Sequence, residues 1–147
     1  MAYLIDTNVF LRLVPNNDPN RAIVLNALQK LRLSNEQLSY TTQVLAEFLT
    51  VCTRPATSRG GYGLSSDRAE RKLRLIERYC RLLPDSEATH QEWRRLVVAY
   101  SVRGVEVHDA RLVASIITHR VNNLLTFDTG DFKRYKEITV ISPADLK

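Results

Sequence analysis

The sequence predicts an α/β fold, a mainly parallel sheet lying between helical layers. The first of three observations sets the class, and the other two bound it. Short apolar runs alternate with longer segments whose apolar residues recur at helical spacing, the pattern of repeated strand–helix–strand units. The 147 residues are expected to form one domain, 1–147, long enough to close its own core. Hydrophobic residues at 44% and charged residues at 25% match an ordinary globular chain, which excludes a disordered, collagen-like or disulfide-scaffold protein.

Ala2-Tyr3-Leu4-Ile5 reads as the first strand, stopping at the polar corner Asp6-Thr7-Asn8. A short buried helix follows over residues 9–14. Asp18 as N-cap and Pro19 in the first turn open a second helix, with Ile23, Ala27 and Leu31 at helical spacing and Val24 and Leu28 beside them. Residues 37–40 form a weak second strand. Thr41 or Thr42 caps a third helix carrying Val44, Leu45, Phe48, Leu49 and Cys52, which Pro55 ends.

Residues 54–65 hold Gly60, Gly61 and Gly63 alongside Arg54 and Arg59, so a mobile, positively charged loop is expected. Ser66 and Asp67, with Glu70 in the first turn, start a fourth helix that buries Ala69, Leu73, Ile76 and Cys80. Residues 82–84 suit an edge strand. Ser86 caps a fifth helix with Trp93, Leu96, Val97 and Tyr100 on one face, ended by Gly104; this helix offers an apolar surface for pairing two copies. Residues 105–107 fit neither state. A sixth helix over about 109–120 buries Leu112, Val113, Ile116 and Ile117, residues 124–127 form a strand running into Asp128-Thr129-Gly130-Asp131, and residues 138–141 form the last strand.

Cys52 and Cys80 lie in helices without metal-ligand spacing, which fits a reducing, cytoplasmic compartment. The first residues lack the basic and long apolar stretches of a secretory signal, and no apolar run is long enough to span a bilayer, so neither secretion nor a membrane partner is expected.

In open parallel sheets ligands bind outside the carboxyl ends of the strands. Asp6 and Asp128 each follow a predicted strand, Glu47 lies on the Val44/Phe48/Cys52 side of its helix, and Asp109 opens the sixth helix. Four acids thus fall at structured, partly apolar positions where an unpaired carboxylate is costly, and gathering them there calls for a cation. Partly hydrated Mg²⁺ or Mn²⁺ prefers several hard oxygen ligands of this kind. Such an ion orients a water, lowers its pKa and balances charge on a phosphodiester under attack, which predicts a nuclease. No nucleophile elbow, phosphate-binding loop or zinc helix competes, and His90, His108 and His119 do not cluster.

Each acid has a plainer alternative. Asp6 serves equally as a turn or cap residue, Glu47 as half of a surface ion pair, Asp109 as a helix N-cap, and Asp128 and Asp131 as ordinary turn residues. Their joint occurrence at strand ends favours the site. Positive charge is also uneven: residues 54–81 hold eight bases against three acids, while the rest of the chain balances. Arg54, Arg59, Arg71, Lys72, Arg74 and Arg78 therefore stand as candidates to track a phosphate backbone, the alternative being a solvated helix face.

Leu4-Ile5-Asp6-Thr7-Asn8-Val9, Gln43-Val44-Leu45-Ala46-Glu47-Phe48, Val107-His108-Asp109-Ala110-Arg111-Leu112 and Leu125-Thr126-Phe127-Asp128-Thr129-Gly130-Asp131-Phe132 resemble, in order and spacing, the PIN-domain nucleases, particularly the VapC-type toxins. The resemblance spans essentially the whole chain. It implies a three-layer α/β/α fold with a parallel sheet of about five strands. It also implies Mg²⁺- or Mn²⁺-dependent hydrolysis of RNA. Asp6 and Asp109 then correspond to the principal metal ligands, Glu47 to a further ligand or water-orienting group, Asp128 to the fourth acid, and Asp131 to a nearby support that competes with it for the metal. Asn8 and Thr126 correspond to neighbours that hydrogen-bond those carboxylates. The resemblance further implies a homodimer and, for a toxin, a small cognate antitoxin inserting a segment into the groove.

Two other classes compete with the endoribonuclease. One is a PIN-like RNA-binding or interaction module with weak turnover. The other is a receiver-like phosphoacceptor domain, disfavoured because no Asp pair stands beside the first strand and no late lysine is well placed.

Overall fold

A computed structural model of the chain describes residues 1–146. Five strands, β1 (Ala2–Ile5), β2 (Gln37–Thr41), β3 (Arg81–Leu83), β4 (Asn122–Leu125) and β5 (Thr139–Ile141), form one sheet in the order β3-β2-β1-β4-β5. Every neighbouring pair is parallel. Leu4, Ile5, Leu124 and Leu125 on the two inner strands are fully buried, as a sheet covered on both faces requires.

The helices are α1 (Thr7–Leu11), α2 (Arg21–Leu33), α3 (Thr42–Thr53), α4 (Ser66–Tyr79), α5 (Glu87–Ala99) and α6 (Glu106–Thr118). From β1 to β3 the chain steps outward in one direction, and from β3 to β4 it returns across β1. Right-handed crossovers therefore put α1–α4 on one face and α5–α6 on the other. The packing agrees: α1 and α4 lie against α3, and α5 lies against α6. The predicted α/β/α sandwich with a five-stranded parallel sheet is the fold observed. Between β1 and β4 the direction of winding reverses, and such a switch point opens a crevice at the carboxyl edge of the sheet.

Several boundaries differ from the sequence expectation for local reasons. The Asp6 carboxylate accepts a hydrogen bond from Thr7 N at 2.7 Å, so α1 starts directly after β1 rather than at residue 9. Asp18 does not cap α2. Its carboxylate accepts from Asn20 N at 2.8 Å and from Arg12 at 3.2 Å, closing an earlier turn, and the helix begins at Arg21 with Val24, rather than Ile23, on the buried side. Helix α6 begins at Glu106, three residues before Asp109, recruiting the ambiguous stretch. Trp93 Nε1 holds Val107 O at 2.7 Å, and Gly104 at φ +59° reverses the chain ahead of it.

The glycine-rich segment is folded onto the end of α3. Tyr62 N bonds Val51 O at 3.0 Å, Gly63 N bonds Arg54 O at 2.8 Å, Leu64 N bonds Cys52 O at 2.8 Å, and the Tyr62 hydroxyl donates to Leu11 O at 3.1 Å. Gly61 packs so closely that a Cβ would overlap the carbonyls of Arg54 and Pro55. Trp93 on α5 and Tyr100 at its C-cap pack against the core and hydrogen-bond to Val107 O and Glu137. The apolar residue that α5 leaves outside is Val98, 80% exposed.

Candidate active site

The carboxyl edge at the switch point gathers the acids from four separate parts of the chain. Asp6 ends β1 and is 7% exposed. Its Oδ2 accepts from the Thr126 hydroxyl at 2.8 Å and from Asn8 Nδ2 at 3.3 Å, while Oδ1 takes the Thr7 amide. Thr126, fully buried just beyond β4, also accepts from Asn8 Nδ2 and Asp128 N, each at 3.0 Å. Asn8 Nδ2 reaches Asp128 Oδ2 at 3.0 Å, and its Oδ1 accepts from Phe127 N at 3.1 Å. Asn8 and Thr126 thus fasten the corner after β1 to the corner after β4.

Glu47 lies on the face of α3 turned toward this corner, half-buried. The Thr7 hydroxyl donates to its Oε2 at 2.9 Å and Gln43 Nε2 to its Oε1 at 3.1 Å. Gln43 Nε2 also donates to His108 O at 2.9 Å, which joins α3 to the first turn of α6 beside Asp109. Thr7 and Gln43 are contributors that the sequence reading left without a role. A polar residue one turn before Glu47 and a hydroxyl next to Asp6 were the available signals.

The electrostatics reflect burial first and crowding of like charge second. Asp6 is raised to about 6, first by burial, then against the pull of the Thr126 and Thr7 hydrogen bonds, with Glu47 and Asp109 adding to the rise. Asp109 is likewise raised to about 6 by burial first, then by Asp131, Glu47, Asp128 and Glu106. Every charge acting on the two is a carboxylate. No lysine or arginine forms an ion pair with Asp6, Glu47, Asp109, Asp128 or Asp131 among the described residues. Glu47 is therefore not half of a surface ion pair, and Asp109 lies inside the first turn of α6, whose N-cap is Val105. Asp6 does act as a cap, in addition to joining the cluster.

The donors are all hard oxygens without counter-charge, a set that matches a divalent cation. Among the described residues, no three Asp, Glu, His or Cys side chains stand close enough to cage an ion as they are.

The bases form a separate group. Arg71, Lys72, Arg74 and Arg78 are exposed on α4, with Arg74 paired to Glu70 at 2.7 Å and Arg78 set over the Tyr79 ring. Arg54 Nη1 donates to Arg59 O within the pinned loop. Lys72 borders an apolar groove of about 700 Å³ between α2 and α4, rimmed also by Arg21 and Arg32.

A three-layer α/β protein with an acid-lined crevice at the switch point of its sheet is the class that fold and site define. A family model of the PIN domain matches residues 3–138, and the chain belongs to the PIN domain family. No curated protein matches by sequence. Among solved structures, VapBC2 from Rickettsia felis bound to a DNA fragment from its promoter superposes with TM-score 0.72 at 18% identity, over 97% of this chain and 98% of that one. VapBC-1 from nontypeable Haemophilus influenzae gives 0.70 at 16%, over 99% and 100%. VapC20 of Mycobacterium tuberculosis, a sarcin-ricin loop cleaving toxin, gives 0.62 at 17%, over 92% and 98%. At such identities the likeness is one of fold.

Proposed function

We propose that this single-domain chain is a divalent-cation-dependent endoribonuclease and the toxin of a toxin–antitoxin pair, acting in the cytoplasm. The observation that carries the reading is the cluster of five acids, two of them with raised pKa, lacking any basic partner at the switch point. Asp6 and Asp109 would hold Mg²⁺ or Mn²⁺, with Glu47 and Asp128 completing the set and Asp131 alongside. A bound cation would supply activation of a water and charge balance on the phosphate.

The remaining work falls to the chain itself. Thr126 and Asn8 fix the Asp6 rotamer, and Asn8 holds Asp128 to the same corner. Gln43 and Thr7 each donate to one oxygen of Glu47, which fixes its carboxylate as a ligand or as the acceptor that orients a water. The exposed bases of α4 and Arg54 and Arg59 supply attraction for the RNA backbone, a contribution that salt should weaken. The apolar α2–α4 groove with its basic rim suits an amphipathic, acid-flanked antitoxin segment. Its support is the company of toxin–antitoxin complexes among the structural neighbours. We place a homodimer contact on the outer side of α5, around Val98.

The test is digestion of structured RNA with Mg²⁺ or Mn²⁺, with and without chelator, by the wild type beside Asp6→Asn and Asp109→Asn. Cleavage that stops with chelator and with either substitution is expected, and cleavage indifferent to chelator would end the reading. One observation favours a second reading, an RNA-binding module with little turnover: the acids do not form a ready cage. RNA retention without product at any divalent concentration would select it.

A further inference from the structure

A cavity of about 250 Å³ lies between α5 and the first turns of α6, with Asp85, His90, Trp93, His108 and Arg111 in its walls. It adjoins the acidic crevice through two hydrogen bonds. Thr42 Oγ1 donates to Asp85 Oδ2 at 2.7 Å, and Gln43, which holds Glu47, also holds the His108 carbonyl. A group in this cavity therefore sits next door to Asp109.

The walls have a definite chemistry. The Trp93 indole N–H is used by Val107 O at 2.7 Å, which fixes the ring and leaves its apolar surface for a ligand. His90 lies 6.0 Å away, centroid to centroid, and tilted by 55°, so the two rings do not cover each other. Arg111 and Asp85 approach to 3.4 Å but remain 42% and 46% exposed, which leaves a donor and an acceptor free side by side. A free phosphate is a poor occupant, because Asp85 repels it and already pairs with the one guanidinium. The volume is under the ~300–1,000 Å³ of sites that take a whole small molecule. It suits one planar ring whose edge carries a donor beside an acceptor.

Such a ring is a nucleobase, and unpaired bases stacked on aromatic side chains are the usual means of reading single-stranded RNA. We infer that the α5–α6 cavity is a subsite for one unpaired base of the RNA, adjoining the strand segment presented to the acidic cluster. The adjacency to a cleaved phosphate rests on the nuclease proposal, whereas base binding in the cavity does not.

Trp93 is the only tryptophan in the chain, so its fluorescence reports on this cavity alone. The experiment titrates the full chain, in chelator, with the four ribonucleoside 5′-monophosphates, and with ribose 5-phosphate as the base-free control. Saturable change with the nucleotides and none with ribose 5-phosphate is expected. The affinity should fall about fivefold in His90→Ala, which removes one ring from the cavity wall, a loss at the low end for an aromatic contact to a base. His90 is exposed, so that variant keeps its fold, checked by circular dichroism. Asp6→Asn should leave the titration unchanged. No saturable signal, an equal response to ribose 5-phosphate, or indifference to His90→Ala would overturn the inference. Divalent-dependent RNA cleavage without a Trp93 response would remove the subsite and spare the nuclease. A Trp93 response without cleavage would do the reverse.

Discussion

Asn8 and Asp128, 120 positions apart, meet through a 3.0 Å hydrogen bond from Nδ2 to Oδ2, and the same amide reaches Asp6 Oδ2 at 3.3 Å. One neutral side chain thereby holds two like charges at fixed positions across the sheet's switch point. Replacing it with Ala leaves both carboxylates less restrained and the Phe127 amide without its acceptor. Asn8→Ala should lower divalent affinity and cleavage by ~10–100-fold, the range for groups that orient metal ligands. It should cost about 1–2 kcal/mol of stability, read by urea unfolding. Wild-type divalent affinity in Asn8→Ala would refute this role.

Gln43 predicts a different profile. It braces Glu47 against His108 O, yet its own Oε1 is buried without a partner. Removing it surrenders two hydrogen bonds and also relieves an orphan acceptor, so the stability change should be small, within about 1 kcal/mol. Cleavage by Gln43→Ala should nevertheless drop about tenfold or more, because Glu47 loses its fixed orientation. A large fall in thermal midpoint with unchanged turnover would contradict it.

Asp6 and Asp109 make stability depend on pH in a definite sense. Both have folded pKa values near 6, above the ordinary carboxyl value of 3.8, through burial first. Between these values the folded chain binds more protons than the unfolded chain. Their contribution to stability is thus present in full below the ordinary value and is lost as pH rises through 6. In chelator, thermal midpoints should show this loss, and Asp109→Asn should flatten the profile. Added Mn²⁺ should stabilise the wild type above pH about 6 and little below it, since ligands must be ionised. Identical profiles for the wild type and Asp109→Asn would sink the prediction.

Gly61 tests the pinned loop. A Cβ there would come within 2.6 Å of Pro55 O and overlap Arg54 O, both backbone atoms that cannot swing aside. Gly61→Ala should destabilise by about 1–3 kcal/mol, as overpacking does. Gly60, also in this loop, has nothing within 4 Å of such a Cβ, although its φ of +71° still disfavours alanine. Equal, negligible losses at both positions in urea unfolding would show that the segment is not held.

The alternation of strands and helices was legible because it is local. Ala2–Ile5 stops at a carboxylate, Thr41 caps α3, Ser86 caps α5, and Ala69, Leu73 and Ile76 recur at helical spacing, all within a few residues of one another. Where local cues had two uses, the boundary slipped. Asp18 served Arg12 and Asn20 instead of α2, and Gly61, one of the glycines that marked a loop, served close backbone packing.

By itself the sequence determined the α/β class, the order of its elements, the family resemblance and five acids worth watching, since periodicity, caps and motifs are carried by neighbouring residues. Only the tertiary structure decided that Asn8 and Thr126 bind the β1 and β4 corners together. The same holds for the Thr7 bond to Glu47 and the tie from Gln43 to the His108 carbonyl, and for the separation of the α4 bases from the acids' immediate field. The first of these depends on the winding reversal between β1 and β4, which brings residues about 120 positions apart into hydrogen-bond contact. No local pattern in the chain encodes a contact made at that distance.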